Sequence, residues 1–248
     1  MTALIVVLFL LGPVVVVPLL LQVVPAPIAP SAQRTLRLAG RIALPAGVGL
    51  AAAFAFPPGL VTGLLAVPWL VLAGLTTTTA VLDASRAARG GTLPRPGIGH
   101  AVWAALVFLA VAAANALADR LGIQPFSFSS TIILLTAVHF TFAGFTLTII
   151  AALVFDRCPT RWLALAIGAL VIGIPVTAVG FFGVPPAAGL GALLVAGGGF
   201  GVGAAILALA RAGPSRVGRW FHRAAGLSLL GSMPLAAIYA TGIWLGIP

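Results

Sequence analysis

The stretch STIILLTAVHFTFAGFTLTIIAAL, Ser130–Leu153, contains no Asp, Glu, Lys or Arg. A run of this length is enough for one helix to cross a hydrocarbon core of roughly 30 Å. Near its middle stands one titratable side chain, His139. The stretch predicts a membrane-spanning helix built around a buried imidazole, with the remainder of the chain as its scaffold.

The whole sequence agrees. Its 248 residues are 61% hydrophobic and 6% charged, with no Lys and no Glu, and the mean hydropathy is +1.22. A water-soluble domain carries about 25% charged residues, so this surface is not made for water. Apolar runs recur at 2–23, 38–55, 60–80, 100–118, 130–153, 162–182, 187–210 and 224–245. They predict an all-α, polytopic integral membrane bundle of about eight transmembrane helices, a single transmembrane domain over residues 1–248. The first run is read as a helix and not as a cleaved leader, because no basic side chain precedes it and it exceeds the length of a leader's apolar core. Phe56–Gly59 and Val184–Pro186 are tight turns between antiparallel neighbours.

All thirteen cations are arginines, giving a formal charge of +10. They are scattered through short loops, which reads as topology with some anionic-lipid contact, not as a nucleic-acid surface. Segments after the first, third, fifth and seventh runs hold twelve of the thirteen, and Arg120 alone lies on the other side. The positive-inside rule makes those segments cytoplasmic and places both termini outside, as in a multi-pass protein of the plasma membrane. The single cysteine, Cys158, leaves no internal disulfide and no cysteine cluster for a metal.

Residues three and four apart share a helix face, so Thr136, His139, Ala143 and Thr146 should form one stripe, extended by Ser129. That stripe is expected to look inward, with Leu134 and Phe145 opposite it. His139 stands about ten residues, roughly 15 Å, from the outer boundary, a depth at which ionisable groups are functional by default. The competing reading is a neutral histidine serving as interhelical glue. Burial favours the neutral imidazole, which both donates and accepts and so suits proton relay or acid/base work. No carboxylate lies within a run, so its orienting groups would be Thr136, Ser228, Ser232, Tyr239 or the indole of Trp69.

Trp69, just after Pro68, is a pocket wall or a packing residue, and Asn115 an interhelical hydrogen bond or a pocket group. Asp83 is expected to pair with Arg86. Gly199–Ala204 matches G-x-G-x-x-A by letter only, because the dinucleotide motif needs a preceding strand and an aqueous phosphate site. Gly197/Gly201 and Gly199/Gly203 are read instead as two faces for close helix approach. Pro13, Pro18, Pro45, Pro68, Pro175 and Pro234 can each free a carbonyl and kink a helix.

The run VHFTFAGF (Val138–Phe145), with GPVVVVPLLLQ (Gly12–Gln22) and AVPWLVLAG (Ala66–Gly74), resembles the bacterial YndJ-like family of small membrane proteins. Members are commonly labelled transporters. The family pattern implies a second histidine at the place held here by Thr141, whose absence leaves His139 without a partner for metal or haem. No metal and no cofactor is therefore expected.

Two functions follow. The first is a membrane-embedded enzyme performing a cyclisation, isomerisation or epoxide opening on a lipophilic small molecule. In it His139 is catalytic, and Thr136, Thr141, Thr146, Trp69, Asn115, Ser232 and Tyr239 bind substrate. The second is a small-molecule transporter or exporter with His139 as substrate or proton site. The partners expected are the lipid bilayer and that lipophilic molecule, with no nucleic acid.

Overall fold

A computed structural model describes residues 2–25, 29–91, 98–180, 182–212 and 215–245. Among these residues all regular structure is helical. α1 (Thr2–Leu11) passes through a π-helical stretch (Gly12–Val16) into α2 (Val17–Gln22). Then come α3 (Pro30–Ala53), α4 (Leu60–Arg89) and α5 (Ile98–Leu121). A 3-10 turn (Pro125–Ser127) leads to α6 (Ser130–His139), a second π-helical stretch (Phe140–Leu147) and α7 (Thr148–Arg157). α8 (Arg161–Gly180), α9 (Pro185–Ala212) and α10 (Arg216–Leu245) complete the chain. Among the described residues six helices are long and apolar enough to cross a membrane: Pro30–Ala53, Leu60–Arg89, Ile98–Leu121, Ser130–Arg157, Arg161–Gly180 and Pro186–Arg211.

Three boundaries differ from the sequence reading, one of them at α10, which starts at Arg216 and not near Ala224. α3 starts at Pro30 and not near Leu38, because proline suits the first helical position, where no amide partner is needed. Arg34, Arg37 and Arg41 are thus on the helix. α4 continues beyond Ala80 to Arg89, since nothing between Ala80 and Arg89 breaks a helix. The loop expected from Ser85 begins only after it, and Arg95 lies outside the described residues.

The chain forms two compact units, Met1–Pro94 with Val102–Ile149, and Arg95–Ala101 with Ile150–Pro248. In the first, α3 turns one face inward through Ala32, Leu36, Ala39, Ala43, Ala46, Leu50 and Ala53. This spacing of three and four is that of one helix face, and its small residues let α3 lie close to α4. Trp69 on α4 is buried in the same unit.

Arg120, the one arginine on the far side of the topology count, clasps the turn between α3 and α4. Its guanidinium pairs with Asp119 and donates to the carbonyls of Ala53 and Phe56, each at 3.3 Å. It also lies 4.0 Å from the centre of the Phe54 ring. Its own carbonyl accepts the Gly59 amide at 2.8 Å and lies 2.8 Å from the Thr62 hydroxyl. One residue thereby satisfies the C-terminal carbonyls of α3 and anchors the start of α4, groups that helix ends leave open. At the other end of the same helix pair, Asp83 does not meet Arg86. Its two oxygens accept the Ala29 amide and the Trp103 indole N–H, each at 3.0 Å, joining the N-terminus of α3, α4 and α5.

In the second unit α9 packs between α8 and α10. A Cβ at Gly199 would come 2.6 Å from the Met233 sulfur, and one at Gly203 would come 2.9 Å from Leu229 Cβ. Gly199/Gly203 is therefore the face that admits α10. Against α8 the working pair is Gly198/Gly201, set on Ala166, and not Gly197/Gly201; Gly197 faces open space.

Replacing Arg120 by Gln removes the charge that Asp119 answers and two carbonyl donors, in a buried setting. The expected loss is about 3 kcal/mol, read as a lowered midpoint in denaturant unfolding of the purified protein. Substituting the exposed Arg86 by Gln leaves the midpoint unchanged.

Candidate functional site

α6 begins at Ser129, whose hydroxyl accepts the Ile132 amide at 3.4 Å, an N-cap. From there the buried positions run Ile133, Leu134, Ala137, Phe140, Thr141, Gly144, Phe145, Leu147 and Thr148, most of them on one side. This, and not the stripe of Thr136, His139, Ala143 and Thr146, is the most enclosed face. The four residues of the stripe do keep one environment, since all are half-buried. Leu134 and Phe145, opposite the stripe, serve helix packing.

His139 stands where α6 gives way to the π-helical stretch. Its ring meets Phe140 edge to face, with centroids 5.9 Å apart, and Phe140 meets Phe108 of α5 at 5.7 Å. Nε2 of His139 is enclosed and has no hydrogen-bond partner, the one such side-chain atom among the described residues. A buried polar atom left unpaired costs about 1–3 kcal/mol.

The neighbouring hydroxyls donate elsewhere. Thr136 donates to the Ile132 carbonyl at 2.8 Å, Thr141 to Ala137 at 2.8 Å and Thr146 to Thr141 at 2.9 Å. Each has given its one proton to its own helix and offers only lone pairs. Thr146 and Thr148 reach carbonyls five residues back, the spacing of the π-helix itself. Hydroxyls that compete with amides for carbonyls loosen the α register, and Gly144 in the same stretch lowers helix propensity further.

A second π-helical stretch faces this one. The Val17 amide donates to the Gly12 carbonyl, five residues back, and Pro18 has no amide to give. Proline inside a helix removes one bond and crowds the carbonyl four residues before it, so widening the turn by one residue relieves Val14. The Pro13 carbonyl is then left without an amide from either residue 17 or residue 18, and α3 comes up to it through Gly47, where a Cβ would overlap that carbonyl. Gly12 does the same for the other partner: a Cβ there would come 2.5 Å from Thr141 Cγ2. The two widened turns touch through the absence of a side chain.

Of the remaining expected site residues, Trp69 is fully buried on α4, in the same unit as His139. Asn115 is half-buried, and its amide donates to Val111 of its own helix at 2.9 Å. Ser228 and Ser232 on α10 are exposed, and the Ser232 hydroxyl reaches Leu229 at 3.4 Å. Tyr239 falls outside the described side chains. Gly12, Gly47, Phe108 and Phe140 were not singled out as site residues from the sequence; the signal that pointed towards them was Pro18, whose missing amide acts on the turn before it. Among the described residues no group of three His, Cys, Asp or Glu could hold a metal ion.

Fold and site together define a multi-pass α-helical membrane protein with an enclosed histidine in one of its spanning helices. The chain belongs to the YndJ-like family, whose model matches residues 7–248. No curated protein and no solved structure matches it.

The contact between the widened turns is open to test by a pair of substitutions. Gly12→Ala should destabilise by about 1–3 kcal/mol, the usual cost of overpacking. Thr141→Ser removes the methyl that it strikes and keeps the hydroxyl, so the double variant should recover at least half of that loss in a thermal unfolding cycle.

Proposed function

We propose that this protein is an eight-span protein of the cell membrane that performs acid/base chemistry on an uncharged lipophilic small molecule, with His139 as the proton-handling group. The reaction class is cyclisation, isomerisation or epoxide opening. The observation that carries this reading is the enclosed Nε2 of His139 without a partner. A neutral imidazole with one ring nitrogen unsatisfied can give or take one proton at a substrate atom. The apolar surroundings, with no carboxylate on α6 or the π-helical stretch after it, suit a substrate that arrives from the bilayer without charge. Thr136, Thr141 and Thr146, with protons already given away, offer lone pairs that accept from a substrate hydroxyl. Trp69 and Asn115, in the same unit as His139, complete the proposed substrate contacts.

A second reading, transport or export of the same kind of molecule, draws on the two facing π-helical stretches. Turns with weakened internal bonding are places where a helix changes register, and one such turn beside the histidine would couple binding to movement. Purified protein incubated with candidate lipophilic substrates and analysed by mass spectrometry separates the two. Conversion without a membrane gradient establishes the enzyme, whereas uptake into sealed vesicles without conversion establishes transport.

The role of His139 is tested by His139→Phe. Replacing an unpaired polar group by an apolar one of similar shape is close to neutral for stability, so the variant is expected to melt at or above the wild-type temperature and to lose all activity. Retained activity removes His139 from the mechanism, and a large fall in melting temperature returns it to the role of helix glue.

The proposed orientation, with both termini outside, puts the half-buried Cys158 on the cytoplasmic side. A membrane-impermeant maleimide should therefore label it in inverted vesicles and not in intact cells, and the reverse pattern would invert the topology.

A further inference from the structure

Arg34, Arg37 and Arg41 follow one another on α3 at spacings of three and four, and all three are exposed. The buried face of this helix, Ala32 through Leu36, Ala39, Ala43 and Leu50, lies on the opposite side. The residues that share the outward face are aliphatic: Leu38, Ile42, Leu44 and Val48 are each about half exposed or more. A solvated basic surface does not carry such neighbours.

Arg41 is the twelfth of the 24 residues of α3 and three residues inside the apolar run 38–55, so at about 1.5 Å per residue it stands roughly 5 Å beyond the start of that run. A charge at that level is costly unless it reaches the interface or finds a counter-charge. Helical side chains lean towards the N-terminus, so Arg41 extends back along the same face towards Arg37 and Arg34. The long aliphatic stem stays in the apolar layer while the guanidinium rises.

The chain does not supply the counter-charge. It has three carboxylates against thirteen arginines. Asp83 is held by the Ala29 amide and the Trp103 indole, and Asp119 by Arg120. Asp156 alone remains, adjoining Arg157 at the end of α7. The anions that balance Arg34, Arg37 and Arg41 must come from outside the protein.

We propose that Arg34, Arg37 and Arg41 form a binding site for an anionic phospholipid, its phosphate held between the three guanidinium groups at the headgroup level. Its acyl chains lie over Leu38, Ile42 and Val48. Guanidinium forks match phosphate oxygens in pairs, and three of them on one face favour a lipid with net negative charge over a zwitterionic one, which brings its own cation. The site is independent of His139 and of the reaction proposed above.

The test is native mass spectrometry of the full chain taken from nanodiscs of phosphatidylglycerol or of phosphatidylcholine. Wild type is expected to retain phosphatidylglycerol several-fold more than phosphatidylcholine. Arg41→Gln should abolish most of that difference, and Arg86→Gln with Arg89→Gln, on the exposed end of α4, should not. If Arg41→Gln does not fold, Arg34→Gln with Arg37→Gln, nearer the helix end, carries the same expectation. Equal retention of the two lipids, or retention unchanged by the α3 substitutions, overturns the proposal. Loss of the lipid on adding millimolar inorganic phosphate would overturn it too, by making the site one for free phosphate.

Discussion

In a hydrocarbon layer no water stands ready to satisfy a backbone carbonyl or amide, so every such group has to be answered from within the protein. Most of what distinguishes this fold follows from that constraint. Where Pro18 removes an amide, the helix widens by one residue and α3 closes over the freed Pro13 carbonyl through Gly47. At the end of α3 and the turn after it, the guanidinium of Arg120 takes the carbonyls of Ala53 and Phe56. Where α3 begins, the Ala29 amide is taken by Asp83. The threonines of α6 and the following π-helical stretch give their protons to carbonyls of their own helix.

Against that economy the Nε2 atom of His139 is the exception. Its neighbours have spent their protons on the backbone, and the groups packed round it, Phe140 and beyond it Phe108, are apolar. Natural sequences break their own packing rules mainly at sites where something else is gained. The proximity of two widened turns, joined at Gly12 and Thr141, places this unpaired atom next to the least regular backbone of its unit. In the proposed function, chemistry at His139 and movement of the helix that carries it would draw on the same few residues.

The three carboxylates divide the chain's charge in a similar way. Two are spent holding helices together, Asp119 with Arg120 and Asp83 with Ala29 and Trp103. Neither is available to the arginines that set the topology. The proposed anionic-lipid site draws on this excess of positive charge. Arg120 uses its charge inside the fold, against Asp119 and the carbonyls of Ala53 and Phe56.

Sequence alone determined the class, most of the helical runs and the turn at Phe56–Gly59, because apolar length and the rarity of a charge are properties of composition along one dimension; the second turn lies one step earlier than expected, since Pro185 and Pro186 open α9. It also pointed to the prolines as places where a helix would give way. It could not assign Asp83, whose partners Ala29 and Trp103 stand 54 and 20 positions away, nor choose Gly198 over Gly197 for the approach of α8. A helical wheel put Thr136, His139, Ala143 and Thr146 on one face correctly, yet named the wrong face as the innermost, since burial depends on which neighbours arrive. That the threonines spend their protons on carbonyls, that Gly12 meets Thr141 and that Nε2 of His139 is left over were decided only in the tertiary structure, where donors and acceptors distant in sequence compete for the same partners.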